Sequence, residues 1–405
     1  METDFCVVGG GPAGLTIALL LLRSGARVTL VERHRPGSRE FRGEILQPGG
    51  MALLDQLGVL AGAKAKGCFR LDRFQLVDRG RPLLDIDYRR LPAPYDHLLS
   101  LPQEHLLDEL LAQCAGEEGF TCLMPAHAKE LIRESGRIAG VVCAGAEGRT
   151  DVLAHCVIAA DGRYSKVRRL AGIDNLRAEA FDLDVLWFKV PLAGGREPNV
   201  RIFRGRGNPV LAYPSYPDQL QLGWTLPHGS YGEFVRRGLG PVLDEVCAAV
   251  PRYAETIRAR ITDRRRLSLL DVFAARARSW ALDGLLLIGD SAHTHSPIGA
   301  QGINLAIQDA VVAHPILMES LRQGDASRAF LDRYTRLRGP DIDAVMKMQV
   351  MQSKGMLSRG RRGAVARQVM ARILPHTPVL DRITRRIALG NPGIRVATDH
   401  LVVNR

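Results

Sequence analysis

The sequence predicts a mixed α/β fold: a nucleotide-binding α/β domain that carries an inserted antiparallel sheet and a C-terminal helical segment. Three observations predict it. A glycine-rich turn joins an apolar strand to an apolar helix at the N-terminus. Four strand-like runs separated by Gly/Pro turns occupy residues 180 to 270, and a second glycine-containing strand-to-helix junction follows Leu285. With 405 residues, the chain is long enough to bury a large core in intimately joined domains.

Phe5-Cys6-Val7-Val8 is a short apolar run, Leu15 to Leu22 a longer one, and Ala26 to Val31 is rich in β-branched residues, which reads as strand, helix, strand. Gly9, Gly11 and Gly14 form G-x-G-x-x-G at the first junction, with Pro12 and Ala13 inside the motif. Glycines there permit a tight turn, close approach of backbone to a pyrophosphate and close helix–sheet packing, and the helix N-terminus faces the phosphates. Glu32, 18 residues beyond Gly14, ends the second strand. A carboxylate there accepts from ribose hydroxyls and repels a 2′-phosphate. The motif alone does not choose between NAD and FAD.

Leu15 to Leu22 is too short to cross a bilayer and follows acidic Glu2 and Asp4. Seven scattered cysteines without C-x-x-C pairing predict a reducing cytoplasm and no metal site. The net charge of +12 is concentrated in Arg258 to Arg266 and Lys354 to Arg386. It reads as a solvated face that attracts anionic cofactors, with no nucleic-acid partner. From Ser358 onward, Val365, Val369 and Ile373 recur at helical spacing, which predicts a cover packed on the core in preference to peripheral membrane contact.

After Glu32 comes Arg33, then a glycine-rich loop in which Arg42 is placed to reach a pyrophosphate or a flavin edge. Residues 68 to 100 alternate like strands, and a helix then begins near Pro102 with Gln103 at its start. Ala128 to Val142 and Thr150 to Ile158 read as strands of a small meander ending in Asp161-Gly162, with Ser165 and Arg168 on the helix that follows. Helices are expected over Glu233 to Val250 and Tyr253 to Ile261. Leu285 to Ile288 is a buried strand leading into Gly289-Asp290, then Pro297, Gly299, Gly302, Ile303 and Asn304 and a helix, a second nucleotide cradle. His293 and His295 have no cysteine or carboxylate at zinc spacing.

The order G-x-G-x-x-G, Asp-Gly, Gly-Asp resembles the single-component FAD-dependent monooxygenases of the para-hydroxybenzoate hydroxylase fold, over roughly residues 3 to 60, 98 to 172 and 280 to 345. The resemblance implies a Rossmann-like, GR2-type FAD-binding domain. Gly9, Gly11, Pro12, Ala13, Gly14, Glu32 and Arg33 would hold the ADP half of FAD, and Gly289 and Asp290 would meet the ribityl chain. Arg42 and Gln103 would touch the ribityl-pyrophosphate, and Asp161 and Gly162 the pyrophosphate. Pro297, Gly299, Gly302, Ile303 and Asn304 would lie beside the flavin ring, with Pro297, Gly299 and Arg42 in catalytic positions. NAD(P)H would be the co-substrate, admitted near Asp161-Gly162, where Arg168, Arg163 and Lys166 carry positive charge. By the same resemblance, O2 would add to the reduced flavin as a C4a-hydroperoxide, and its terminal oxygen would hydroxylate or epoxidise a small aromatic or polycyclic substrate.

The strand Leu222-Gly223-Trp224-Thr225-Leu226-Pro227 lacks the first Trp of the halogenase motif W-x-W-x-I-P. Tyr213, Tyr216, His228 and His97 are chemically suitable bases, but each reads first as packing or surface. The alternatives are a reductase or dehydrogenase of an isoprenoid or quinone-like compound, and a flavin-holding protein without turnover. The expected division is 1–70, 98–178 and 273–345 for FAD, 71–97 and 179–272 for substrate, and 346–405 for the basic helical segment, in a monomer or homodimer.

Overall fold

Glu2–Val8 is a strand, Pro12–Arg23 a helix and Val28–Val31 a second strand. A computed structural model of the chain describes residues 1–35, 43–78, 80–146, 148–178, 183–192, 194–204, 207–357 and 377–402. Glu2–Val8 lies mid-sheet, parallel to Val28–Val31 on one side and to Gly148–Ala159 on the other, so its apolar run is buried. Phe120–Leu123 extends one edge and Leu285–Leu287 the other, both parallel. Parallel strands deliver the loops after them to one edge. Leu15 to Leu22 are all buried because the first helix is enclosed by the sheet and the helices Gln103–Ala115 and Gly302–Gln323.

Two expected elements divide where the backbone turns. Residues 128–142 belong to two strands, Ala126–Glu134 and Arg137–Gly145, since Ser135 and Gly136 reverse the chain with φ of 48° and 85°. Residues 233–250 break at Gly238, φ 83°, into Tyr231–Arg237 and Leu239–Ala249. The stripe of Val365, Val369 and Ile373 lies outside the described residues.

A second sheet runs in the order Ser268–Leu270, Leu183–Pro191, Gln219–Pro227, Val210–Ser215, Asn199–Arg204, Arg73–Asp78, Arg81–Asp87. It is antiparallel except where Asn199–Arg204 runs parallel to Arg73–Asp78, the seam at which two separate excursions of the chain join. Side chains alternate across a strand. Leu186, Phe188 and Val190 therefore pack under the helices between 231 and 260. Val185, Trp187, Leu211 and Tyr213 face the nucleotide-binding part and share an apolar cluster with Ile45, Ile298, Ala300 and Met346.

Trp187 lies across its strand neighbour Gly223, where a Cβ would stand 2.8 Å from the indole. Gly223→Ala is expected to lower stability by about 1–3 kcal/mol through overpacking, read by urea unfolding. Unchanged stability would mean that the indole is not confined there.

Candidate active site

The three motif glycines have different reasons to be glycine. Gly9 has φ 110°, and a Cβ on it would strike the Ala160 carbonyl; one on Gly14 would fall on the Gly9 carbonyl oxygen. Gly11 has nothing within 4 Å of its Cβ position. The first two are demanded by the fold, while the third borders open space. Gly11 caps the first helix without a side-chain hydrogen bond, Pro12 opens it, and no acidic residue lies in its first turn, so its leading amides face that space as an anion site. Ala13 is buried there and packs on the Gly289 backbone, where a Cβ at 289 would stand 3.0 Å away.

The neighbouring strands bring the acids. Glu32 follows Val28–Val31; its Oε2 accepts from Gly10 N–H at 2.5 Å and its Oε1 from His34 N–H at 2.8 Å, while Arg33 points to solvent. Asp161 follows Gly148–Ala159, but its carboxylate is spent within its own turn, accepting from Ser165 Oγ at 2.5 Å and from the Lys166 and Val167 amides. It caps the short helix Lys166–Leu170, leaving Gly162, φ 82°, as the open part of that loop. Asp290 follows Leu285–Leu287, half-buried, its carboxylate 3.6 Å from Arg163 Nε. Arg42 lies outside the described residues. Gln103 opens the helix Gln103–Ala115, reached from a strand that pairs with Ile45–Leu46.

Arg168 does not fit the outward role expected of it. It is 5% exposed, and its guanidinium donates to the Ser291 carbonyl at 2.9 Å and the Arg163 carbonyl at 3.4 Å. Short cationic stretches read as surface, yet here the side chain braces the Asp-Gly loop against the Gly-Asp loop.

The stretch 297–304 closes the site. Gly299 has φ 76°, while a Cβ there would meet Gln352 Oε1 at 3.6 Å, so backbone geometry rather than lack of room calls for glycine. Half-buried Pro297 accepts from Ala300 N–H, and Gly302 has no atom within 4 Å of its Cβ position. The helix Gly302–Gln323 has no side-chain cap, so its first amides, Gly302 and Ile303 among them, are aimed at this space. Asn304 is buried and bridges the loop, its Oδ1 accepting from Gln47 N–H at 3.0 Å and its amide donating to Ala300 O at 2.9 Å.

A buried ionic network, not apparent from the motifs, ties these loops together. Asp309 accepts from Gly289 N–H at 2.9 Å and Arg338 Nε at 2.7 Å, and its Oδ2 lies 2.7 Å from His293 Nε2. His293 Nδ1 is 2.9 Å from His295 Nε2, and Gln349 donates to the Ser296 and Ile298 carbonyls. Burial works to raise the Asp309 pKa, but His293 and Arg338 outweigh it and hold the carboxyl at about 2. Burial, then His293, pushes His295 down to about 3, so it is neutral. The two histidines are thus held in this network.

Gln47 donates to the Gly299 carbonyl at 2.8 Å, and Glu44 is 4% exposed against the second sheet. Neither was singled out in the sequence; a carboxylate beside the apolar Ile45-Leu46 pair was the available signal. Of the suitable bases, Tyr213 is buried, and Tyr216 is exposed beside Phe69 and His105. His228 leans on Asp184 at 2.8 Å, and His97 on Asp96 at 3.3 Å.

The residues present fit FAD: two uncapped helix N-termini, open Cβ positions at Gly11 and Gly302, and an acid at the ribose end lie at the carboxyl edge of adjacent strands. Residues 2–349 match the family described as FAD binding domain. The chain is 57% identical over 398 residues to the 6-methylpretetramide 4-monooxygenase of Streptomyces rimosus, covering 98% of this chain and 95% of that one. Its structure is similar to that of a PqsL variant from P. aeruginosa, with a TM-score of 0.79 and 25% identity over 93% of this chain and 100% of that one. It shares the fold of OxyS anhydrotetracycline hydroxylase from Streptomyces rimosus, with a TM-score of 0.75 and 24% identity over 96% and 76% of the two chains.

Gly11→Ala and Gly302→Ala add a methyl to open space, so both proteins should fold normally without cofactor yet bind FAD about tenfold or more weakly, about 1.4 kcal/mol or more. Gly14→Ala should lower the melting temperature with or without FAD. Wild-type FAD affinity in Gly11→Ala would remove the pyrophosphate from that position. Because the folded Asp309 pKa of about 2 lies below the ordinary value of 3.8, its stabilisation is complete above pH 4 and is lost as pH falls towards 2. Acid unfolding of Asp309→Asn should lack that component; an identical acid limb in both proteins would contradict it.

Proposed function

As this chain belongs to the FAD binding domain family and is an FAD-dependent monooxygenase, we propose that it uses NAD(P)H and O2 to hydroxylate a polycyclic aromatic substrate chemically close to 6-methylpretetramide. The observation that carries the substrate class is the shared cluster in which Ile298 and Ala300 of the cofactor loop meet Val185, Trp187 and Tyr213 of the second sheet. An apolar wall where this sheet meets the 298–300 loop suits fused rings. Residues 71–97 and 179–272 thereby serve the substrate, and 1–70, 98–178 and 273–345 the cofactor.

Bound FAD supplies the redox and oxygen-activating chemistry. Gly11 and the first-helix amides would receive its pyrophosphate, Glu32 its ribose and Asp290 its ribityl chain. The amides at Gly302 and Ile303 would stabilise negative charge on the ring when it is reduced, and the apolar face would exclude water. NAD(P)H docks on the open side of the Asp-Gly loop. There the Arg177 guanidinium stacks on Phe273 at 4.1 Å, and Arg163 stands 5.7 Å from the same ring beside half-exposed Tyr164. This surface takes the place of Arg168. Among the described residues no helix is long and apolar enough to cross a membrane, and the seven cysteines are free thiols, which suits a cytoplasmic enzyme.

The yellow holoenzyme is expected to oxidise NAD(P)H faster when 6-methylpretetramide is present, without a matching release of peroxide. Arg177→Ala should raise the NAD(P)H KM by about tenfold, as loss of uniform binding does, with FAD content unchanged. Substrate reduction or dehydrogenation without O2 would replace this reading by a reductase, and an unchanged KM would move the nicotinamide site elsewhere.

A further inference from the structure

The apolar sheet face opposite the 298–300 loop ends in a row of polar side chains. Lys189, Gln221 and Tyr213 stand opposite one another on three adjacent strands. Alternation puts Lys189 on the face of Val185 and Trp187, and Ser215 on the face of Tyr213. Glu44 enters this row from outside the sheet. One of its carboxylate oxygens takes the Lys189 ammonium, and the other accepts from Ser215 Oγ at 2.5 Å. The Glu44 side chain is 4% exposed, whereas Lys189 keeps 34% of its side chain open. The same stretch reaches the cofactor loop, since Ile45 packs in the cluster with Ile298 and Ala300, and Gln47 holds the Gly299 carbonyl.

Removing the Glu44 carboxylate from water is costly, and a pair whose ammonium stays a third open returns little stability for it. Electrophilic hydroxylation needs an electron-rich ring, which a phenol becomes on losing its proton, and a base within hydrogen-bond reach supplies that. Resting on the hydroxylase reading above, we propose that Glu44 and Lys189 form the acid–base pair that activates an acidic phenolic or enolic hydroxyl of the substrate. The substrate O–H bond breaks as its proton passes to a Glu44 carboxylate oxygen, where a new O–H bond forms. The electron pair stays on the substrate oxygen, and the resulting anion is held by the Lys189 ammonium. The ammonium then balances the substrate oxyanion instead of Glu44, so wall and bound anion together stay neutral, and the proton returns when product leaves. Tyr213 also faces the pair; burial and then the Glu44 charge push its hydroxyl well above the usual tyrosine range, so it stays protonated.

The test compares FAD-loaded wild type, Glu44→Gln, and Glu44→Gln combined with Lys189→Met, using 6-methylpretetramide as the probe. An absorbance titration reads whether the probe binds as its anion, and product formation from neutral to alkaline pH reads its activation. Wild type should show the anion band at pH values where the free probe is neutral, and both variants should lack it. The Glu44→Gln kcat should fall about a hundredfold at neutral pH and recover as the probe ionises unaided, with KM within about threefold of wild type. The double variant leaves neither charge unpaired, so it should keep wild-type FAD content and melting temperature while still lacking the band. A neutral bound probe in wild type, or an unchanged pH profile in Glu44→Gln, would overturn the inference and make the pair a tie between sheet and loop. An anion band in wild type without hydroxylation would overturn the proposed function and uphold the pair.

Discussion

A Cβ on Gly14 would fall on the Gly9 carbonyl oxygen, and one on Gly9 would strike the carbonyl of Ala160. This close backbone packing sets how near the first helix comes to its sheet and how near the first two strand-end loops come to each other. Gly289, packed on Ala13, adds a third loop to the same edge. Parallel pairing aligns the strands, and the absent side chains let the loops after them converge. The anion site at the first helix, the acid at Glu32 and the half-exposed Asp290 all depend on that convergence.

The second constraint is ionic. Asp309 sits in the long helix that begins at Gly302, yet its carboxylate grips the Gly289 amide, Arg338 and His293 at once. Unpaired, that carboxylate would be costly to bury; with three partners it fixes the Gly-Asp loop relative to the helix whose first amides face the open space at Gly302. Gln349 extends the hold to Ser296 and Ile298. The loop expected to lie by the flavin is thus anchored through side chains on two helices, leaving Gly299 in a left-handed conformation that glycine adopts without strain.

What the sequence made legible is what needs a particular residue at a particular spacing. The glycine turns, the acid ending the second strand and the strand-like runs between Gly/Pro turns at 180 to 270 are of this kind, because backbone sterics and the pleat leave few substitutes. The joining of Arg73–Asp78 to Asn199–Arg204 was not legible, since strand pairing over that distance leaves no local pattern. Glu44 escaped for the same reason: its partners lie 145 and 171 residues away. Arg168 misled because a basic stretch after a turn ordinarily faces water, whereas two carbonyls draw this one inward. The Asp161 carboxylate is likewise drawn inward, where the Ser165 hydroxyl and the Lys166 and Val167 amides donate to it.

This edge of the parallel sheet is proposed to hold FAD against an apolar face where oxygen is transferred to an aromatic ring. Turnover of 6-methylpretetramide with NADPH under oxygen-18 gas tests it most directly. The account predicts one labelled oxygen atom in each product molecule, with NADPH, O2 and product consumed and formed in equal amounts. Product oxygen drawn from water, or label recovered only as hydrogen peroxide, would contradict it.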